Sequence, residues 1–513
     1  MTEWQGRDQA QSAGLAQGPE NRDRATEDAN VSRLTAIDAR LAVIDEQLRR
    51  QFADYAALAS PAPLSVEKVQ AQLGADEALV FFLDTRGWGP ASEETFIWTV
   101  TKTDFRWTRS DLGTPALARE VQALRCGLDA DAWATPTSAK RCADLLGVAA
   151  SPDPARPLPF DHMRAYALYK ALFGEAEDLI KGKRLLIVPS GALTQLPFQV
   201  LVTSPPTGGE HRSVAWLVRD HAITVLPAVA SLDALRRVAH VSAAPKPMIG
   251  FGNPLLEGPD GRYADLAKLA REKQQCRQGI MQRAAKLLGI RGGVTPVEML
   301  RGLADVSHIR QQAPLPETAD ELCAVAADLR AEPGEMRLGA RATEREVKAL
   351  SASGQLAQYR IVHFATHGAL AGELNGTQEP GLLLTPPAEA TADDDGYLSA
   401  SEIAGLKLDA DWVILSACNT AAGDASGAQA LSGLARAFIY AQARALLVSH
   451  WAVDSNATVK LITASAGAMA RDTSVGRAEA LRRAMLALID TGAPHEAHPA
   501  YWAPFVVVGE GGR

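Results

Sequence analysis

The sequence predicts an α/β fold, in which a sheet is flanked by helices and preceded by an N-terminal helical arm. Short apolar runs typical of buried strands alternate with segments of helical periodicity, the pattern of a sheet covered by helices. Ahead of them, leucine and isoleucine recur at three- and four-residue steps from Asn30 to about Ala59, which indicates an amphipathic helix. Pro61 and Pro63 end that helix, because proline removes a backbone donor and restricts the residue before it.

The composition is that of a folded protein without a broad basic surface. The 513 residues are 47% hydrophobic and 22% charged, and the formal net charge is −8. Nucleic acid binds through clustered Lys and Arg, so this charge argues against it as a direct ligand. The first residues lack the basic and apolar regions of a signal peptide, and no apolar stretch is long enough to span a membrane. We therefore expect a cytoplasmic protein without a membrane partner.

The five cysteines indicate neither a disulfide framework nor a zinc site. They are scattered along the chain, and no C-x-x-C pair occurs. In a reducing compartment each is expected to be a buried, unpaired thiol. No metal or other cofactor is expected.

The order of elements follows from composition and turn residues. Residues 1–29 are polar with little to bury and predict a disordered tail, and the helix at 30–63 either packs on the following domain or docks a partner. A helix is predicted at 166–173, and a polar, helical insertion at 253–339. Strands are predicted at 78–83 and 95–100, which form a hairpin, and at 184–189, 222–226, 247–252, 359–365, 412–417, 445–449 and 505–508.

Two of these strands each end in a reactive side chain. His367 and Gly368 follow the strand at 359–365, and Cys418 follows the strand at 412–417. Since the carboxyl edge of an α/β sheet is where its sites form, His367 is placed to take the proton of the Cys418 thiol. The N–H of Gly368, with that of Cys418, is placed to form an oxyanion hole.

The sequence around these residues resembles the CHAT domain, a branch of the caspase–separase clan of cysteine peptidases. The matching segments include VHFATHGAL at 362–370 and DWVILSACNTAAG at 411–423, and the resemblance runs from about residue 64 onwards. It implies a caspase-like sheet with His367 as base and Cys418 as nucleophile, 51 residues apart (418 − 367). It also implies a degenerate caspase-like half at 64–245 and a catalytic half at 246–513.

The same resemblance implies that the chain cleaves a specific protein and is activated by a protein partner, as in bacterial defence or other regulated proteolysis. The tandem helical repeats that often precede a CHAT domain are absent from this sequence. One alternative is a catalytically silent CHAT-type scaffold that relays partner binding, with Cys418 as an inert buried thiol. Another is acyl transfer other than proteolysis, which would use the same two residues.

Four other features have simpler interpretations. His363 and His367 have the spacing of a zinc-binding H-E-x-x-H helix, but Phe364 replaces the glutamate and the segment is β-rich, so His363 is expected to be structural. Ser190 lacks the flanks of a nucleophilic serine, and we predict a turn. The run at 393–396, Asp-Asp-Asp-Gly, predicts a solvated turn. Asp454 either selects a basic substrate residue or caps the helix that follows it.

Overall fold

The structure is a computed structural model, and it divides the chain into two compact units, Met1–Pro63 and Leu64–Arg513. It describes residues 6–7, 23–51, 64–87, 91–148, 157–206, 208, 210–238, 242–276, 303–369, 379–416, 433–451, 454–472 and 474–512. Among these residues, no helix combines the length and the apolar composition that crossing a bilayer requires.

In the described part of the first unit, residues 24–51 form a long helix, α1 (Arg24–Gln51). It begins six residues before the predicted Asn30, because the Asp23 carboxylate accepts hydrogen bonds from the N–H groups of Ala25 (3.1 Å) and Thr26 (3.3 Å) and so caps the first turn. Most of the predicted tail, and the end of the predicted helix at 52–63, lie outside the described residues.

The second unit is a mixed α/β structure, as predicted. Its helices are α2 (Val66–Gln72), α3 (Thr114–Cys126), α4 (Pro136–Leu146), α5 (His162–Phe173), α6 (Glu177–Ile180), α7 (Leu217–Asp220), α8 (Ser231–Val238), α9 (Ala264–Glu272), α10 (Val306–Arg310), α11 (Glu317–Asp328), α12 (Glu344–Ala352), α13 (Ala400–Ala404), α14 (Gly433–Tyr440), α15 (Ser455–Arg471), α16 (Arg477–Thr491) and α17 (Pro499–Trp502). Its strands are β1 (Glu77–Asp84), β2 (Thr95–Thr101), β3 (Phe105–Ser110), β4 (Arg184–Val188), β5 (Ile223–Val225), β6 (Lys246–Gly252), β7 (Met336–Leu338), β8 (Tyr359–Ala365), β9 (Gly368–Ala369), β10 (Gly381–Leu383), β11 (Tyr397–Ser399), β12 (Trp412–Leu415), β13 (Ala445–Ser449) and β14 (Phe505–Gly509).

Eleven strands form one continuous sheet in the order β3-β2-β1-β4-β5-β14-β13-β12-β8-β6-β7. The strands before residue 246 occupy one end, and those after it occupy the other. The last strand in the sequence, β14, lies between the two groups. Within the second group β6, β8, β12 and β13 run parallel, so their carboxyl ends meet at one edge. A second, three-stranded sheet, β11-β10-β9, begins directly after β8.

Helices cover both faces of the large sheet. On β8, the His363 side chain faces Glu321 of α11, and the Phe364 ring contacts Phe438 of α14 with ring centroids 5.6 Å apart. Because successive residues of a strand point to opposite faces, α11 and α14 lie on opposite sides of the sheet. The main core lies on the α11 side and includes the fully buried Trp412 and Trp502.

The predicted strands are confirmed within a residue or two at the ends that are described, and the hairpin is confirmed as the antiparallel pair β1–β2. Three features were not predicted. They are the edge strand β3, which alternates aromatic residues with arginine and threonine, the strand β7, which lies inside the segment predicted to be helical, and the strands β9–β11, which are only two or three residues long. Each lacks the apolar run that identified the other strands.

The expectation of unpaired thiols is wrong for four of the five cysteines. Cys126 is bonded to Cys142, and Cys276 is bonded to Cys323. Sequence separations of 16 and 47 residues carry no pairing signal by themselves, since pairing depends on Cα atoms that the fold brings to 5.5 Å in both cases. Cys418, the fifth cysteine, lies outside the described residues.

The run at 393–396 is a turn, with Gly396 at φ +83°, but it is not fully solvated as predicted. Asp394 is buried, and Glu344 accepts hydrogen bonds from the N–H groups of Asp395 (2.8 Å) and Gly396 (3.0 Å). The buried carboxylate of α12 therefore replaces water as the partner of this turn.

Candidate active site

His367 lies just beyond the carboxyl end of β8, as the sequence predicted. The chain around it is fastened to β10: Leu383 N–H donates to the His367 carbonyl at 2.9 Å, and the Thr366 hydroxyl donates to the Leu383 carbonyl. These bonds connect the large sheet to the three-stranded sheet at the position of the histidine. The backbone of the candidate base is therefore held from two directions.

The imidazole ring is oriented by a backbone carbonyl. Its Nε2 atom lies 2.7 Å from the carbonyl oxygen of Ala313, a buried residue between α10 and α11. A carbonyl can only accept, so Nε2 carries the proton, and in the neutral ring Nδ1 is the basic nitrogen. This partner could not be predicted from the sequence, because every residue has the same backbone carbonyl.

Gly368 opens β9, opposite Leu382 of β10. Because the adjacent pair His367–Leu383 is hydrogen-bonded, the Gly368–Leu382 pair is a non-bonded one, and the N–H of Gly368 points away from β10. In the described part of the chain β9 is the edge of its sheet. This orientation suits a donor to a ligand.

The candidate nucleophile follows β12, which pairs in parallel with β8. The pairing continues one residue past β12, where Ser416 N–H donates to the Phe364 carbonyl at 2.9 Å. Ser416 is the last described residue before Cys418, two positions further on. The strands that lead to His367 and to Cys418 are thus neighbours with a shared carboxyl edge, and the contact between the two side chains stays a prediction.

His363 is a buried strand residue, as expected, and it has partners that the sequence did not indicate. Its Nε2 atom is hydrogen-bonded to the Ser416 hydroxyl at 3.1 Å and lies 3.1 Å from a carboxylate oxygen of Glu321. Glu321 lies 42 residues earlier (363 − 321), on α11. No group of metal ligands occurs among the residues that the structure describes.

The two remaining candidates have structural partners. Asp454 caps α15, since its carboxylate accepts the N–H of Ala457 at 3.0 Å, and a substrate-binding role for it stays a prediction. Burial, followed by the charges of Asp454 and Glu496, raises the pKa of Tyr501. Ser190 begins a turn, and its hydroxyl donates to Asp84 at 2.5 Å.

Comparison with known proteins gives the family. The CHAT domain model matches residues 163–510, which is more than half of the sequence. The chain belongs to the CHAT domain family. The match begins at 163, so it is shorter than the resemblance from about residue 64 that the sequence suggested. No curated protein sequence matches this chain.

Solved structures similar to this CHAT domain chain are cysteine peptidases. The separase–securin complex of Saccharomyces cerevisiae aligns with a TM-score of 0.45 and 10% identity over 99% of this chain and 37% of the other. The Arg-specific cysteine proteinase gingipain R aligns with a TM-score of 0.32 and 8% identity, over 69% of this chain and 68% of the other. The chain thus spans little more than a third of the separase structure that it matches.

Proposed function

We propose that this CHAT domain protein is a cysteine endopeptidase in which Cys418 is the nucleophile and His367 the general base. The main support is the orientation of the His367 ring: because Nε2–H donates to the Ala313 carbonyl, Nδ1 is the basic nitrogen of the neutral ring, and β8, which leads to His367, is paired with β12, which leads to Cys418. Such an orienting partner is what a nucleophile–base pair requires.

The proposed reaction begins when His367 Nδ1 takes the thiol proton of Cys418. The imidazolium that forms still donates Nε2–H to Ala313, so its charge keeps an acceptor at 2.7 Å. The thiolate forms a bond to the peptide carbonyl carbon, and the oxyanion accepts from the N–H groups of Gly368 and Cys418. The imidazolium then protonates the leaving amine as the C–N bond breaks. Water, deprotonated by His367, hydrolyses the thioester and restores the thiol.

We further propose that the substrate is a specific protein and that a protein partner activates the peptidase, in bacterial defence or another regulated proteolysis. Family membership and the expectations drawn from the sequence support these finer points. The two disulfides weigh against a cytoplasmic location, because a reducing compartment keeps few such bonds.

A thiol-reactive peptide probe tests the function. Without reductant, Cys418 is the one cysteine that neither disulfide uses, so labelling of the folded wild type should occur there and disappear in Cys418→Ala. His367→Ala should slow labelling and abolish peptide hydrolysis, and the double variant should be scarcely worse than either single one, because the two residues act as a unit. Losses that multiply would refute the dyad, and a wild type that neither labels nor hydrolyses with its partner present would favour the silent scaffold.

A further inference from the structure

Glu321, His363 and Ser416 form a polar group, here named the β8 cluster, at the face of the sheet that packs on α11; Glu321 and His363 are buried and Ser416 is half-buried. The side chains of His363 and Glu321 are 0% and 4% exposed. On the same face lie the apolar neighbours Ile361 and Leu322. The mechanism proposed above uses none of the three side chains.

Burying an ionisable pair is unfavourable unless its partners compensate it. The desolvation cost of a buried carboxylate is several kcal/mol by general estimates, and well-packed apolar side chains in its place are often as stable or more stable. Here His363 Nε2 lies 3.1 Å from a Glu321 carboxylate oxygen and 3.1 Å from the Ser416 hydroxyl, but only the contact with Ser416 is a hydrogen bond, and that Glu321 oxygen has no hydrogen-bond partner among the described atoms. Fold stability is therefore a poor account of why these three groups meet.

Glu321 contacts His363, and His363 contacts Ser416, so Ser416 is the last residue in this series of contacts. His363 Nε2 is the ring atom that lies near both oxygens: it is hydrogen-bonded to the Ser416 hydroxyl, and the Glu321 carboxylate lies beside it at 3.1 Å. His363 Nδ1 is buried and has no hydrogen-bond partner among the described atoms, so Nε2 makes all the polar contacts found for this ring. Glu321 thus fixes the ring, and the ring fixes the rotamer of Ser416.

Ser416 is held at both its backbone and its side chain. The backbone N–H donates to Phe364 at 2.9 Å, and the hydroxyl is hydrogen-bonded to His363. Phe364 and His363 lie on the strand that leads to His367, and Ser416 lies two residues before Cys418. The β8 cluster therefore links the two neighbouring strands that lead to the candidate dyad.

We propose that Glu321 and His363 are positioning residues for the nucleophile and that they act through Ser416. The inference rests on the proposed function, in that the group they position is the Cys418 thiol. A displacement of about 1 Å at a reacting group costs up to roughly a hundredfold in rate, so a loosened Ser416 is expected to reduce turnover rather than substrate binding.

The test compares Ser416→Ala, Glu321→Gln and His363→Gln, singly and in pairs. Each single change should lower kcat by about tenfold to a hundredfold with KM changed by less than about twofold. In a protein that already carries Ser416→Ala, Glu321→Gln should lower kcat no further, because the hydroxyl through which His363 acts has been removed. Ser351→Ala is the control: Ser351 is a buried serine of α12 whose hydroxyl accepts the Lys407 N–H at 3.0 Å. It should lower the melting temperature without changing kcat.

A second readout does not depend on peptidase activity. The rate at which iodoacetamide alkylates Cys418, measured against pH without reductant, reports the reactivity of that thiol alone. Ser416→Ala and Glu321→Gln should slow it or shift its pH profile, and Ser351→Ala should not. If the wild type hydrolyses no peptide but the alkylation differences appear, the proposed function fails and the positioning role stands. Alkylation and kcat within about twofold of wild type in all variants, or losses that multiply in the pairs, would overturn the positioning role.

Discussion

Breaking the Cys276–Cys323 disulfide is expected to lower the free energy of unfolding by about 4 kcal/mol, and breaking Cys126–Cys142 by about 3 kcal/mol. The difference follows from the sequence separations of 47 and 16 residues, because a longer closed loop removes more conformational entropy from the unfolded chain. Cys323 lies on α11, two residues from Glu321, so the longer loop is closed at the helix that supports the β8 cluster.

Urea unfolding of the two Cys→Ser double variants measures these values. Each variant should show a lower midpoint than the wild type, with the Cys276→Ser/Cys323→Ser pair the less stable. Reductant should destabilise the wild type by the combined amount and leave a variant lacking all four cysteines unchanged. A thiol count on denatured, unreduced protein provides a direct check and should give one free thiol per chain, rising to five after reduction.

Five free thiols before reduction would refute the pairing, and so would double variants within about 1 kcal/mol of the wild type. One free thiol per chain in protein taken directly from cells would contradict the cytoplasmic location that the sequence suggested, because a reducing compartment keeps few disulfides.

Three further predictions concern single side chains. Burial lowers the pKa of His498 from 6.5 to about 3, so between those values the unfolded chain binds a proton that the folded chain does not. His498 alone should therefore lower stability by about 2–3 kcal/mol between pH 6.5 and pH 4.5. Burial also lowers the pKa values of His211 and His450, so His498→Gln should remove only its own share of the decline in urea midpoints. Asp454→Ala should cost about 1 kcal/mol through the lost cap, whereas Asp454→Asn keeps an acceptor and removes the charge. A peptide library in which Asp454→Asn leaves cleavage after Arg or Lys intact would exclude the pocket role. Trp502→Ala should cost about 3–5 kcal/mol in urea unfolding, since the ring is fully buried against Trp216, and a loss below about 1 kcal/mol would contradict that packing.

The sequence was sufficient to predict the parts of the fold that depend on local pattern. The strand at 445–449 is found at the predicted residues, because five consecutive buried positions leave an uninterrupted apolar run. The placement of His367 beyond β8 followed from the same kind of run. The edge strand β3 could not be recognised this way, since one of its faces is exposed and its side chains alternate between aromatic and polar.

The partners of the site residues were beyond local pattern. Glu321 reaches His363 from a helix 42 residues away, and the group that orients His367 is the carbonyl of Ala313. A contact between residues far apart in the sequence, or with a backbone carbonyl, cannot be predicted from local sequence pattern. The cap of Asp454 was foreseen as an alternative, because a cap depends only on the residues next to it.

The position of β14 has a consequence for how the protein is made. It is the last of the eleven strands to leave the ribosome, yet it lies in the middle of the sheet, between β5 and β13. During translation the two groups of strands therefore have no strand to join them until residues 505–509 emerge, and until then β5 and β13 both present open edges. A nascent chain that ends before β14 would carry both His367 and Cys418 on an incomplete sheet, so synthesis as far as Gly509 is itself a condition for assembling the site.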